Sequence, residues 1–320
     1  MSSSQLVLGV SSCLLGNPVR YNGGHTRRRF VVDTLGPFVE YEAVCPEMES
    51  GMGVPRESMR LVGTCQDDAK LIGHKTGTDY TEQLTSWARM RVDELEKMPL
   101  CGFIFKAKSP SSGMERVKIY GDPSTHSIRY DGIGLFAKEF MERFPHLPVE
   151  DDGRLLDPVL RENFIQRIFT YRRWLDLLTE NPTLGGLVEF HSRHKYLILS
   201  HHTESYRQLG KLVAAGKEYD QPELFNKYIT LLLEALKVPV TLGQNTNTML
   251  HAMGYFKKEL TGEEKQELRE VIDNYNDELV PPIVPMTLLK HFARKYNKDY
   301  LLNQYYLNQH PAELKLLNHV

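Results

Sequence analysis

Short runs of apolar residues in the first third of the chain predict buried β-strands. Residues 6–10 form one such run, residues 38–44 form a second, and residues 101–107 form a third. Each run is too short for a stable helix and is followed by a loop that contains Gly or Pro. We therefore expect three strands in this part of the chain.

Between residues 79 and 98 the apolar positions follow a helical period instead. They recur at intervals of three and four residues, as expected for one buried helix face. The residues of this face are Leu84, Trp87, Ala88, Val92 and Leu95. Because this helix lies between two predicted strands, the pattern predicts a parallel sheet with right-handed crossovers.

From residue 134 onward the strand-like runs disappear, and amphipathic segments follow one another. The predicted helices are 134–144, 157–178, 184–215, 221–236, 246–259, 262–279 and 286–296. The predicted fold class is therefore an α/β N-terminal domain with a parallel sheet, residues 1–157, followed by an all-α C-terminal domain, residues 158–320.

The composition indicates a folded protein that is large enough for two cores. The chain has 320 residues, of which 41% are hydrophobic and 25% are charged. A formal net charge of -2 gives no general attraction to nucleic acid or to an anionic membrane. No apolar run reaches the roughly 18 residues of a membrane span, and residues 1–5 lack the features of a signal peptide. We expect a cytoplasmic protein whose partners are neither membranes nor nucleic acids, and the sequence leaves its oligomeric state open.

Four cysteines lie in the predicted first domain: Cys13, Cys45, Cys65 and Cys101. Disulfides are rare in the reducing cytosol, so we do not expect these residues to pair. Cys13 and Cys45 each follow a predicted strand, and open α/β sheets bind ligands at the carboxyl ends of their strands. Thiol or metal chemistry is therefore predicted at these two positions, and a buried, unreactive thiol is the alternative for Cys13.

Polar residues follow the second and third strands in the same way. Glu47 comes two residues after the second cysteine, and it could move protons if burial raises its pKa toward neutrality. Arg56 follows in a Gly-containing loop, where it could bind an anionic group. Ser109, Ser111 and Ser112 lie in a loop that could hold an anion through its hydroxyl and amide groups. A surface carboxylate and an ordinary solvated turn are the respective alternatives for Glu47 and for the serine loop.

Several motifs in the first 150 residues together resemble the TudS thiouracil desulfidases. These motifs are SSCLLG, VRYNGGH, CPE with GMGVPR, TGTDYT, and FKAKSPSSGMERVK, in that order. The resemblance implies an α/β fold similar to Rossmann-like sheets. It also implies a 4Fe-4S cluster held by three cysteines, with one iron left open to bind the sulfur of a thiolated uracil or a thiouridine nucleotide.

The resemblance assigns roles to individual residues of this chain. It implies that Cys13 and Cys45 are two of the three cluster ligands, that Glu47 handles protons, and that Ser109 is an active-site serine. The third family cysteine falls on Ser112, and an alcohol is a far weaker ligand for an iron-sulfur cluster than a thiolate.

Three explanations of this substitution remain open. Ser112 could be a substituted ligand of a weakened or absent cluster. Cys101 could replace it, although an extended strand of that length would hold the thiol about 20 to 35 Å from the loop. Cys65 could also approach the site from its own loop.

The helical half resembles the YbgA-type domain, to which no activity is firmly attached. The motifs are HSRHKYLILSHHTESYRQLG and the later NTMLHAMGYF. His191, His194 and His201 have spacings that could suggest a metal site, but no fourth ligand is evident. A helix face that packs against other parts of the protein or binds a partner is the favoured interpretation.

The leading hypothesis is an enzyme that removes sulfur from a thiolated pyrimidine nucleotide such as 4-thio-UMP, by replacing the C–S bond with a C–O bond. Glu47 and Ser109 would act in catalysis. The predicted substrate contacts are Ser11, Ser12, Arg20, Arg56, Lys106 and Ser111. One alternative is an impaired or cluster-free nucleotide-binding or regulatory module, because Ser112 replaces a ligand. Another is a scaffold that carries a partner-binding helical domain.

Overall fold

The computed structural model describes residues 6–121, 127–311, 314, 316 and 317. It divides into two compact units, Met1–Asp157 and Pro158–Val320. Residues 1–5, for which the sequence predicts no signal peptide, lie outside the described residues. Within the described ranges, every helix falls short of the length and apolar character that a membrane crossing requires.

Eight strands lie in the described part of the first unit. They are β1 (Leu6–Ser11), β2 (Val39–Val44), β3 (Met59–Val62), β4 (Lys70–Gly73), β5 (Leu100–Phe105), β6 (Val117–Tyr120), β7 (Ile128–Gly132) and β8 (Val149–Asp151). These strands form two sheets of four, in the orders β2-β1-β5-β8 and β4-β3-β6-β7.

The first sheet is entirely parallel and contains the most deeply buried strands. β1 pairs with β2 and β5, and β5 also pairs with β8. Every residue of β1 and β5 is buried, as expected for central parallel strands covered on both faces. The predicted α/β unit with a parallel sheet is confirmed. The sequence predicts no strand after residue 134, and this expectation is wrong, because β8 follows that residue. It was missed because its three residues are too few to form an apolar run.

The second sheet is mixed and was not expected from the sequence. β3 pairs antiparallel with β4 and parallel with β6, and β6 pairs antiparallel with β7. Each of these strands has four or five residues, of which at most two are buried. Their hydrophobic patterns are therefore too weak to distinguish strands from loops.

Helices cover the first sheet. The α-helices of the first unit are α1 (Pro46–Glu49), α2 (Thr81–Leu95) and α3 (Leu135–Arg143). The predicted face of α2 is present, since Leu84, Ala88, Val92 and Leu95 are buried. Trp87 packs against Phe136 of α3, with 5.5 Å between the ring centroids. The two helices thus bury their apolar faces together.

The described part of the second unit is all-helical, as predicted. Its α-helices are α4 (Pro158–Glu180), α5 (Leu184–His201), α6 (Thr203–Ala214), α7 (Gln221–Lys237), α8 (Leu242–Met253), α9 (Gly262–Asn276), α10 (Ile283–Lys295) and α11 (Asp299–Leu302). Buried Leu, Ile, Phe and Tyr side chains from most of these helices form one hydrophobic core.

Two helix boundaries differ from the prediction because of capping side chains. The single helix expected over 184–215 is two helices, since His202 is extended at φ -154° and its ring accepts a hydrogen bond from the Ser205 amide. The helix expected at residue 246 begins at Leu242, because the Thr241 hydroxyl caps it. Histidine is not among the common capping residues, so the break at residue 202 has no clear sequence signal.

The histidines of α5 are buried and hydrogen-bonded within the helical unit. His191 Nδ1 lies 3.1 Å from the Tyr228 hydroxyl, and His201 Nδ1 lies 2.7 Å from the Val238 carbonyl oxygen. Burial lowers the pKa of His191 and of His201 to about 4, so both rings are neutral at physiological pH. Across the described residues, no three or more His, Cys, Asp or Glu side chains are grouped to hold a metal ion.

Candidate functional site

One cavity of about 230 Å³ lies where β1, β2 and β5 end. Residues that follow these three strands form most of its wall. The predicted site residues that line it are Ser11, Ser12, Cys13, Arg20, Cys45, Glu47, Arg56, Lys106, Ser109 and Ser112. Of the predicted site residues, all of which lie in the described ranges, Ser111 alone is not part of this wall. The parallel sheet thus brings together side chains as far apart in the sequence as Ser11 and Ser112.

Cys13 lies in a 3-10 turn that directly follows β1. Its side chain is almost fully buried, and its Sγ atom accepts a hydrogen bond from the Thr26 hydroxyl at 3.4 Å. Burial raises the pKa of the Cys13 thiol, and this effect outweighs the opposing hydrogen bond from Thr26 and the charge of Lys106. The thiol is therefore protonated at neutral pH unless a cation displaces its proton.

Cys45 ends the extended segment of β2 and immediately precedes α1, whose first residue is Pro46. Its Sγ atom lies 3.6 Å from Oε2 of Glu47. Burial, and then the neighbouring carboxylate of Glu47, raises the pKa of Cys45 to about 12. Both cysteines of the cavity are thus held as neutral thiols by their surroundings, and both would gain from a bound metal.

Glu47 connects the cysteine loop to the serine loop. Its Oε1 atom accepts a hydrogen bond from the Ser111 hydroxyl at 2.6 Å. Its Oε2 atom faces Cys45 and lies 3.7 Å from Nη2 of Arg56. Arg56 is itself oriented by the carbonyl oxygens of Val19 and Gly53, each 3.0 Å from Nη1. The serine loop therefore holds Oε1 of the carboxylate, and Oε2 lies beside the Cys45 thiol and the Arg56 guanidinium.

The serine loop is ordered by its own hydroxyl groups. Ser109 Oγ lies 2.9 Å from Ser111 Oγ and accepts a hydrogen bond from the Ser112 amide at 3.3 Å. Gly134 packs directly against the loop, because a Cβ atom there would lie 2.5 Å from the Ser111 carbonyl carbon. The loop therefore presents Ser109 and Ser112 to the cavity and directs Ser111 toward Glu47.

The four cations of the cavity wall differ in how far their charge is neutralised. Lys106 Nζ lies 3.0 Å from Asp152 Oδ1, and Asp152 is fully buried. In the described part of the chain, neither Arg20 nor Lys108 forms an ion pair, although Arg20 lies over the Tyr21 ring at 5.7 Å. Arg20 and Lys108 are thus the cations most able to bind an external anion.

Sequence reasoning did not select Lys108 as a site residue. This residue has a positive φ of 60° and lines the cavity directly after β5. Its position after a predicted strand end could have suggested it, but the backbone turn that directs it into the cavity has no sequence pattern. Asp152 was missed as well, because its partners lie far away in the sequence.

The remaining cysteines do not join this cavity, within the described residues. Cys101 is fully buried at the start of β5, with its Sγ atom 3.6 Å from the Pro99 carbonyl oxygen. Cys65 lies in another loop, where its amide donates a hydrogen bond to Asp68. Neither cysteine lines the cavity, whereas Ser112, which the motif resemblance places at the third ligand, does.

The three residues that the motif resemblance assigns as cluster ligands thus supply two thiols and one alcohol. Iron-sulfur clusters prefer thiolate ligands, and an alcohol must lose a proton of much higher pKa to coordinate. Cys13 and Cys45 have the chemistry that a cluster needs, whereas Ser112, which the motif resemblance assigns as the third ligand, has an alcohol instead. We therefore expect this set to bind a cluster more weakly than three cysteines would.

Comparisons with known proteins assign each unit to a family. Residues 8–152 match the family described as 2-thiouracil desulfurase. Residues 195–311 match the family described as a protein of unknown function, DUF1722. Both resemblances that the sequence motifs suggested are thereby confirmed.

Two curated relatives agree with this division. The uncharacterized protein YbgA of Escherichia coli (strain K12) is 30% identical over 151 residues, which are 47% of this chain and 89% of YbgA. The uncharacterized protein YbbK of Bacillus subtilis (strain 168) is 34% identical over 114 residues, which are 32% of this chain and 71% of YbbK. A solved structure of the [4Fe-4S]-dependent thiouracil desulfidase TudS has 24% identity to this chain and a TM-score of 0.38. The match covers 48% of this chain and 94% of the TudS chain.

Proposed function

We propose that this chain, which belongs to the 2-thiouracil desulfurase family in its first unit and to the YbgA-like DUF1722 family in its second, is a desulfidase. It would convert a thiolated uracil, in the form of a nucleotide such as 4-thio-UMP, to the oxo base and sulfide. The observation that carries this proposal is that the thiols of Cys13 and Cys45, the carboxylate of Glu47 and the hydroxyl of Ser109 line a single cavity at the ends of three parallel strands.

The cofactor proposed for this cavity is a 4Fe-4S cluster, as the motif resemblance implies. Cys13 and Cys45 would hold it, and Ser112 lies at the position of a third ligand. When bound, the cluster would supply a Lewis acid that withdraws electrons from the C–S bond and accepts sulfur. Because burial keeps both thiols protonated, loading would release protons from them.

Glu47 is the proposed proton-transfer group. Hydrolytic desulfidation needs a water molecule that loses two protons as its oxygen replaces sulfur, while the departing sulfide takes up protons. Oε2 of Glu47 faces the cavity beside Cys45, where it could accept a proton from that water. Ser111 holds the other carboxylate oxygen, so that Oε2 keeps its direction during the transfer. Because the Ser109 proton is used in the bond to Ser111, its hydroxyl oxygen would accept a hydrogen bond from a ring N–H of the pyrimidine.

The phosphate of the nucleotide would lie near the unpaired cations of the cavity. Arg20 and Lys108 line the wall without a carboxylate partner in the described ranges. Lys106 was predicted as a substrate contact, but its Nζ is held 3.0 Å from Asp152, a buried carboxylate that it shares with Arg28. We therefore assign the main phosphate contacts to Arg20 and Lys108 and a smaller role to Lys106.

Anaerobic reconstitution with iron and sulfide tests this function. We expect brown protein with broad absorbance near the blue end of the spectrum, and sulfide release from 4-thio-UMP. Cys45→Ser should lose both the colour and the sulfide release, because it removes a thiol from the cavity. Cys101→Ser is the matched control, since this thiol does not line the cavity, and it should retain both properties. Colourless wild-type protein that releases no sulfide would overturn the proposal.

The second candidate function is a nucleotide-binding or regulatory module without a cluster. The observation that favours it is the alcohol of Ser112 in the cavity wall, at the residue that the motif resemblance assigns as the third ligand. Ser112→Cys should raise the iron and acid-labile sulfide content, because a thiolate is the stronger ligand. Ser58→Cys adds a thiol elsewhere on the same wall and serves as the control.

The outcomes of this substitution separate the two functions. Iron binding and sulfide release that occur only in Ser112→Cys would support the module without a cluster. Comparable iron content and sulfide release in the wild type and in Ser112→Cys would support the enzyme and show that two thiols are sufficient.

A further inference from the structure

A second cavity of about 320 Å³ lies within the helical unit, and the proposed desulfidation makes no use of it. Its wall comes from α5, α6, α8, the turn after α8 and α11. The residues that line it are Lys195, Tyr196, Leu199, Thr203, Tyr206, Arg207, Asn247, His251, Tyr255 and Tyr300. Four tyrosines and two permanent cations in ten residues are an unusual composition for an ordinary solvated cleft.

The tyrosines present aromatic faces that are ordered by one another. Tyr255 and Tyr300 are stacked, with ring centroids 5.1 Å apart and an interplanar angle of 14°. Tyr196 meets Tyr255 edge to face at 6.2 Å. Burial, and then the neighbouring tyrosines, raises the pKa of Tyr196 and of Tyr300, so their hydroxyls are neutral donors at physiological pH. The ring of Tyr255 is 42% exposed and therefore accessible to a ligand.

The charge of this cavity is positive. Lys195 and Arg207 line it, and no Asp or Glu does so among the described residues. Lys195 Nζ lies 6.0 Å from the centroid of the Tyr206 ring, and among the described residues its charge is not paired with a carboxylate. Arg207 contacts Glu204 at 3.5 Å, but both side chains are more than half exposed, and such pairs exchange readily with solvent and anions.

We propose that this cavity binds a small planar aromatic molecule that carries an anionic group, of the size of a nucleoside monophosphate. The ring would stack on Tyr255, and the anion would lie between Lys195 and Arg207. Asn247 and Thr203 would supply hydrogen bonds to the edge of the ring. The volume of this cavity lies at the lower end of the range typical for ligand pockets, which suits one molecule of this size. The inference does not depend on desulfidation in the first unit.

Binding of UMP to the full-length protein tests the proposal by titration calorimetry. We expect UMP to bind more tightly than uridine, and inorganic phosphate to bind more weakly than either, because the site combines stacking with charge. Tyr255→Leu should weaken UMP binding about tenfold, as expected for the loss of one stacking ring. Arg207→Gln should weaken UMP about tenfold and leave the affinity for uridine unchanged.

Two control variants remove the same side chains from other places in the helical unit. Tyr219→Leu removes a ring that packs with Lys227 at 4.5 Å outside the cavity. Arg269→Gln breaks an exposed helical ion pair with Asp273. Both variants should bind UMP as the wild type does. Equal thermal unfolding of all four variants would show that any loss of binding is local.

Other outcomes would overturn the proposal. The nucleotide could instead bind only in the first cavity, in which case Arg20→Gln would abolish UMP binding and Tyr255→Leu would leave it unchanged. Binding of a uridine oligonucleotide without binding of UMP would indicate an extended surface instead of a pocket. If the cluster fails to assemble but Tyr255→Leu still weakens UMP binding, the desulfidase proposal fails and this one stands.

Discussion

The residue-scale feature that matters most in the candidate site is a carboxylate with two different neighbours. Oε1 of Glu47 is fixed by the Ser111 hydroxyl at 2.6 Å, whereas Oε2 faces the thiol of Cys45 and the guanidinium of Arg56. Ser111 is fully buried and does not line the cavity, so it acts on the site through Glu47. The position of the reactive oxygen therefore depends on a residue that the ligand does not touch.

Ser111→Ala tests this positioning role. Without the hydroxyl, the carboxylate can rotate, and we expect sulfide release from 4-thio-UMP to fall about tenfold, as is typical when a supporting hydrogen bond is lost. The fall should be in kcat, with KM little changed, because the ligand itself loses no contact. Ser50→Ala is the matched control, since its hydroxyl bonds the Glu47 carbonyl oxygen and not the carboxylate. Equal rates in the wild type and in Ser111→Ala would contradict the assignment.

At the scale of single elements, α4 carries a buried acid that couples the stability of the helical unit to pH. Glu162 is largely buried, and its carboxylate oxygens accept hydrogen bonds from the side chain of Gln166 at 3.1 Å and the amide of Leu317 at 3.2 Å. Burial raises the pKa of Glu162 to about 7. The folded state therefore holds a proton that the unfolded state has already lost at pH 6.

Glu162→Gln tests this coupling. Because the pKa of Glu162 is higher in the folded state, its contribution to stability falls as pH rises from about 4.5 to about 7 and is constant above that range. We expect the free energy of unfolding of the variant, relative to wild type, to increase by on the order of 3 kcal/mol between pH 5 and pH 8. The buried histidines titrate equally in both proteins, so their effect cancels in this difference.

The free energy of unfolding is measured by urea denaturation. Unfolding is monitored by the fluorescence of Trp174 in proteins that also carry Trp87→Phe. Trp174 is buried in the core of the helical unit and reports on that unit alone. Glu223→Gln, an exposed glutamate on α7, should show no such pH dependence. If the free energies of unfolding of Glu162→Gln and wild type differ by the same amount at pH 5 and at pH 8, Glu162 does not couple stability to pH.

Elements also differ in how far the sequence predicts them. The helical period of α2 and the apolar runs of β1 and β5 were sufficient to predict these elements. The buried residues of α2 repeat over several turns, and those of β1 and β5 fill the whole strand. The four strands of the second sheet were missed, since each has at most two buried residues and so leaves only a weak pattern in the sequence. The break at His202 was missed for a similar reason, as one capping hydrogen bond decides it.

At the scale of the whole molecule, the net charge of -2 says little about ligands. Each unit contains a cavity with a local excess of cations, although the chain as a whole is nearly balanced. Glu47 and Asp152 offset part of the charge at the first cavity, and Glu204 does so at the second, while the remaining carboxylates lie elsewhere. The expectation that an anionic ligand binds locally therefore depends on which cations the fold places at one cavity. The titration with UMP tests this expectation for the cavity of the helical unit.

The sequence by itself determined the α/β and helical composition of the two halves, the families to which they belong, and the positions of Cys13, Cys45, Glu47 and Ser109 after strand ends. These features depend on local apolar periods and contiguous motifs. Only the tertiary structure decided that Ser111 faces Glu47, that Asp152 neutralises Lys106, and that four tyrosines surround one cavity. Such contacts join residues from separate elements, and their geometry follows from packing that no local pattern encodes.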